Sequence, residues 1–187
     1  RLRGPWRWLV QCSVLMVGLQ GACIPTQHDQ EGPFHIGVEG EGVNFGHVPF
    51  RTRLLPLLYN GSLPPLRCRG RLLDSGCCPL GDWEVDLWHA GDAATAGAPA
   101  GGVHGVPWTD AQGAAAYSNR EPFWFRGRGR TDARGSFEFE TVVPPVYAVR
   151  PVRHLHFKFR HPNHSAVVTQ LYFSNFASEQ AGAWIHP

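Results

Sequence analysis

Apolar and polar residues alternate one for one in several short runs of this chain, and a period of two argues for strands and against a helix bundle. Trp83-Glu84-Val85-Asp86-Leu87-Trp88 and Ser136-Phe137-Glu138-Phe139-Glu140-Thr141 show it, and His154-Leu155-His156-Phe157-Lys158-Phe159-Arg160 repeats it. Successive side chains of a strand point to opposite faces, so each run reads as half-buried. On that reading Trp83, Val85 and Leu87 enter a core while Glu84 and Asp86 face water. Leu66–Leu73, Phe123–Gly127 and Val167–Phe173 are further candidate strands. Turn residues separate these runs, at Asp74-Ser75-Gly76, Thr131–Gly135 and Pro144-Pro145. The 22 glycines and 16 prolines fit a chain with many turns. Its 187 residues suffice for one domain with a sizeable core. The expected fold is all-β, a β-sandwich of mostly antiparallel strands with an extended N-terminal arm and long loops.

The beginning of the chain reads differently. Arg1, Arg3 and Arg7 precede an apolar run from Trp8 to Leu19, with Gly21 and Ala22 after it. Basic residues, a short apolar stretch and a small-residue exit describe a secretory signal peptide over 1–22, and the run is short for a membrane span. The expected location is therefore secreted, with a lipid anchor on Cys23 as the alternative. Cys23, Cys68, Cys77 and Cys78 then remain; four cysteines allow three pairings, and adjacent Cys77 and Cys78 would be strained if bonded to each other. Residues 23–65 are polar, glycine-rich and then proline-rich, and are expected to form the arm and irregular wrapping. Residues 66–187 are expected to form the sandwich. Within it, 90–116 is rich in Ala and Gly and reads as a surface loop. Asn60-Gly61-Ser62 and Asn163-His164-Ser165 fit glycosylation acceptors. A formal charge of +2 gives no case for nucleic acid or an anionic membrane as partner.

Chemistry concentrates between Tyr147 and His156. His154 and His156 share a strand face, with a tyrosine on the incoming segment, an arrangement suited to a metal ion. An H-x-H pair alone is equally what a solvated strand face shows. Taken with EGPF (31–34), GRLLDSGCCPLGDWEVDLWHA (70–90), FRGRGRTDARGSFEFETVVPPVY (125–147), RPVRHLHFKF (150–159) and TQLYF (169–173), the chain resembles the intradiol ring-cleavage dioxygenases, in particular their short secreted branch.

The resemblance implies a non-haem Fe(III) held by Tyr117, Tyr147, His154 and His156. Fe(III) is a hard cation that favours anionic oxygen, which phenolate donors supply beside imidazole nitrogen. The other two tyrosines fit less well, because Tyr172 reads as core and Tyr59 lies in a proline-rich loop. The implied reaction opens a catechol-type ring with O2 to a cis,cis-muconate-type product. Tyr147 would be released as a base when the aromatic diol binds. Arg150 would stabilise developing negative charge, with Arg153 as its alternative, and Gln170 would support the site. Two departures from the family pattern stand out. The segment between Trp88 and Tyr117 is some twenty residues longer than usual, and Pro151 occupies the place of the usual arginine. His89 is expected to be structural rather than a ligand, and His161 and His164 to be solvated. The competing readings are a non-catalytic transthyretin-like or prealbumin-like binding module, and a zinc or copper site.

Overall fold

The computed structural model describes residues 23–32, 35, 48–59, 61, 63–91, 124–146, 152–173 and 183–185. The expected signal peptide and nearly all of the 90–116 loop lie outside them. Seven strands follow in order: β1 (Pro65–Arg71), β2 (Glu84–Trp88), β3 (Arg126–Arg130), β4 (Ser136–Val142), β5 (His154–His161), β6 (His164–Phe173) and β7 (Ala183–Ile185). β1 and β4 form one sheet, and the other runs β3-β2-β5-β6-β7, every pairing antiparallel. No helix long and apolar enough to cross a membrane occurs among the described residues. The chain is an all-β sandwich.

The core lies between the two sheets. Leu66, Cys68 and Phe139 enter it from the small sheet, and Val85, Leu87, Leu155, Phe157, Phe159, Leu171 and Phe173 from the large one. The alternation is what delivers them, since these positions keep one parity along each strand. On the outer side of the small sheet Arg67 and Arg69 pair with Glu138 and Glu140 across the strands. Those exposed pairs contribute little to stability, so the small sheet depends on its inner face. Gly70 packs closely there, since a Cβ at this position would clash with the tip of the Phe137 ring and force that ring to move.

The third strand lies later than the sequence suggests. Phe125 is fully buried just before β3, and the strand itself is the Arg-Gly-Arg-Gly-Arg run. Its glycines face inward and let the chain at 51–54 close on the sheet: a Cβ at Gly127 would meet the Arg51 carbonyl and Leu54. Of the two histidines expected to be solvated, His164 is exposed and His161 is half-buried. They flank the β5–β6 turn and pack against Trp83, with ring centroids 5.3 and 5.1 Å from its indole.

The N-terminal arm crosses the outer face of the large sheet. Cys23 is disulfide-bonded to Cys77, which resolves the pairing left open by the sequence; Cys68 is in the core and Cys78 is exposed. Further on, Asp29 N–H donates to the Val168 carbonyl at 2.8 Å, tying the arm to β6. Lys158 of β5 pairs with Glu31. Tyr172, expected in the core, is instead half-buried on this face and donates its hydroxyl to Asp29 at 2.8 Å.

Leu155 is fully buried between His154 and His156 and belongs to the core cluster. Leu155→Ala is expected to destabilise the fold by about 2–5 kcal/mol, the usual range for a leucine removed from a packed core. Urea denaturation followed by circular dichroism reads this as a lowered midpoint with an unchanged slope.

Candidate metal centre

The outer face of the large sheet carries a polar row. Cross-strand register places Arg126 beside Trp88, Trp88 beside His156 and His156 beside Gln170, from β3 through β2 and β5 to β6. His154 sits two residues earlier on β5, opposite Tyr172. His154 and His156 are 2% and 3% exposed, and their rings lie 4.8 Å apart at 74° to one another. Neither is a solvated surface histidine.

The protonation of His154 follows from its neighbour. A carbonyl only accepts, so the 2.8 Å contact from Nδ1 to the Val152 carbonyl fixes the proton on Nδ1. The lone pair is then on Nε2, as a metal-binding imidazole requires. His156 stacks on the Trp88 indole, with centroids 4.9 Å apart and planes 9° from parallel. Gly32 of the arm approaches its other atoms; a Cβ there would lie 3.3 Å from Cε1 and 3.8 Å from Nε2. Gly32 has φ +75°, a conformation that also favours glycine. Nε2 of His156 thus borders a cradle that a larger residue would fill. Two buried imidazoles side by side, one with its donor nitrogen fixed, fit half of a metal centre.

Of the other residues expected at the site, Tyr117, Tyr147 and Arg150 lie outside the described residues. Gln170 is fully buried, and its Nε2–H donates to the Gln30 carbonyl at 3.0 Å. The alternative arginine, Arg153, donates to the Pro144 carbonyl at 2.7 Å. Tyr59, outside the site, accepts the Leu63 N–H on its hydroxyl. Among the described residues, no three His, Cys, Asp or Glu side chains converge as metal ligands. His89 has both ring nitrogens engaged: Nδ1–H donates to the Ala90 carbonyl, and Nε2 accepts from the Thr141 hydroxyl, each at 2.6 Å.

A charged cluster beside the row was not foreseen. Asp86 was expected to face water, yet it is fully buried, accepting from Arg126 Nη2 at 2.8 Å with His35 Nε2 at 3.4 Å. Burial alone would raise the Asp86 carboxyl, but Arg126 and His35 carry it below its ordinary value. Arg126 is itself 1% exposed. Register sets Asp86 opposite Arg128, so its pair with Arg126 is the diagonal one, which the alternation of arginines on β3 and acidic residues on β2 does not single out.

Comparison with known proteins bears on this geometry. A family model described as Dioxygenase matches residues 61–178. The chain belongs to the intradiol ring-cleavage dioxygenases. Among solved structures it is similar to the dioxygenase domain of a dioxygenase–carbohydrate-binding protein fusion from Streptomyces sp. SirexAA-E, at 28% identity and TM-score 0.54, over 80% of this chain and 75% of that one. The 3-chlorocatechol 1,2-dioxygenase of Rhodococcus opacus 1CP shares the fold at 24% identity and TM-score 0.53, over 79% of this chain and 57% of that one. An intradiol ring-cleavage dioxygenase from Tetranychus urticae does so at 19% identity and TM-score 0.58, over 82% and 66%. This chain thus spans little more than half of the Rhodococcus protein. Comparison with curated proteins finds no significant match.

The buried histidines give the dioxygenase a pH-dependent stability. Burial pushes His89 down to about 4. With an unfolded value of about 6.5, the unfolded chain takes up the proton first as pH falls. The contribution of neutral His89 is therefore complete above about pH 6.5 and is lost as pH drops toward about 4, a change of about 3 kcal/mol. His35 is lowered too, chiefly by burial, and acts in the same direction. Urea midpoints at about pH 7 and about pH 4.5 should differ clearly in the native chain and less in His89→Gln. Equal losses in both would exclude His89 as a source.

Proposed function

We propose that this dioxygenase uses a non-haem Fe(III) ion to cleave a catechol-type ring between its two hydroxyl-bearing carbons. Both atoms of O2 would enter the product, a cis,cis-muconate-type dicarboxylate. The observation that carries the reading is the pair of buried imidazoles on one strand, with Nε2 of His154 left as a donor by the Val152 carbonyl. His154, His156, Tyr117 and Tyr147 would hold the iron. When bound, Fe(III) supplies the Lewis acidity that favours the doubly deprotonated diol and activates its ring carbons toward O2.

The chain's own residues divide the remaining work. Val152 keeps the His154 proton on Nδ1, away from the donor atom. Tyr147 would take one diol proton on its phenolate oxygen, acting as a general base. Arg150 would stabilise negative charge that develops on the ring. Gln170 holds the Gln30 carbonyl, and with it the arm that borders the site. The Cys23–Cys77 bridge supports an exported enzyme, because such bridges persist in oxidising compartments.

The visible spectrum of the iron-loaded protein tests this reading. A broad tyrosinate-to-iron band that shifts when catechol is added without O2 is the expected result. His154→Ala and His156→Ala should abolish the band and lower catechol-dependent O2 uptake at least roughly 100-fold, the upper range even for residues that only support ligands. A native protein that stays colourless under iron loading would overturn the proposal in favour of a binding module.

A further inference from the structure

We propose that Trp88 is the positioning residue of His156, holding its imidazole in the orientation in which Nε2 meets the metal. The proposal deepens the iron-centre reading and rests on it. Trp88 is 1% exposed and is the direct cross-strand neighbour of His156, with the two rings nearly parallel. Rotation of the imidazole about its Cβ–Cγ bond would drive an edge into the indole. Gly32 meets the Cε1 side. The imidazole is thus confined on one face by the indole and on its Cε1 side by the arm backbone at Gly32.

The indole is itself anchored. His35 packs against it at 4.5 Å between centroids, and the Arg126 guanidinium lies 5.4 Å from the ring centroid, within cation–π range. Asp86 ties these two anchors together, bonding Arg126 and facing His35. A buried ion pair is weak evidence for stability, since apolar residues of the same volume often do as well. A role in fixing ring geometry explains why charges lie under a metal site that they do not touch.

The test compares Trp88→Leu with Trp88→Phe in the full chain, each checked for folding by circular dichroism. In the metal-free protein the His156 Cε1–H resonance, assigned by its loss in His156→Ala, reports stacking on the indole independently of iron. Trp88→Leu should move that resonance toward the position of an unstacked imidazole and weaken Fe(III) binding at least roughly tenfold, as loss of a ligand-supporting contact does. Trp88→Phe should retain most of the affinity, because a flat ring still confines the imidazole. Unchanged resonance and affinity in a folded Trp88→Leu overturn the proposal, as does an equal loss of affinity in Trp88→Phe. Should Trp88→Leu fail to fold, His35→Ala removes one anchor of the indole from the arm side. Movement of the resonance in the same sense then supports the proposal, and no movement overturns it. A native chain that binds no iron, while Trp88→Leu still moves the resonance, sinks the iron-centre reading and leaves the clamp on His156 supported.

Discussion

Asp86 is a carboxylate without exposure to water, and the polar face of the large sheet is organised around keeping it charged. Desolvating it costs several kcal/mol, which only close, well-directed partners offset. Arg126 supplies one from the neighbouring strand and His35 another from the arm. Because both partners also pack on Trp88, the position of the indole is coupled to a charge interaction that tolerates little displacement. Removing Arg126 would take from this buried carboxylate its closer, cationic partner, a much larger penalty than loss of a packing contact. The electrostatic constraint therefore becomes a geometric one.

The same strand serves stability and chemistry one residue apart. β5 sends Leu155, Phe157 and Phe159 into the core and His154, His156 and Lys158 to the outer face. A slip of one residue against β2 would exchange the two sets, burying imidazoles in the core and exposing three large apolar side chains. Pairing of β5 on both sides, with β2 and with β6, prevents that slip. The placement of the two histidines is thus fixed by the hydrophobic core behind them.

Sequence pattern made the strands with clean alternation legible, and β2, β4 and β5 lie within a residue or two of where it places them. β3 was misplaced because its inward positions are glycines, whose role depends on the 51–54 segment closing over them. β7 has three residues, too few for any period to show. His154 and His156 could be identified from spacing and family likeness. Asp86 could not, because whether an acidic residue on a strand faces water depends on what covers that strand. Here an arm some fifty residues away in sequence covers it. Tyr172 was misjudged for a related reason: its partner, Asp29, is also on the arm. Tyr117, Tyr147 and Arg150 lie outside the described residues, so for them family likeness is the whole argument.

That arm also changes what counts as the functional unit. The family model begins at residue 61, and among the described residues the core cluster comes from the segments that follow together with Leu54. Yet Gly32 against His156, Gln30 on Gln170, Glu31 on Lys158 and His35 on Asp86 all come from before it. Among the described residues the arm contributes no strand of its own to hold it over the sheet. It is secured by the Cys23–Cys77 bridge at one end and by backbone and side-chain bonds to β6 further along. A disulfide confines the arm in the unfolded chain as well as in the folded one, lowering the entropy lost when it settles over the site. The matched segment accounts for the fold and supplies the histidines together with Val152 and Trp88 that contact them, and the arm adds Gly32 along the border of His156.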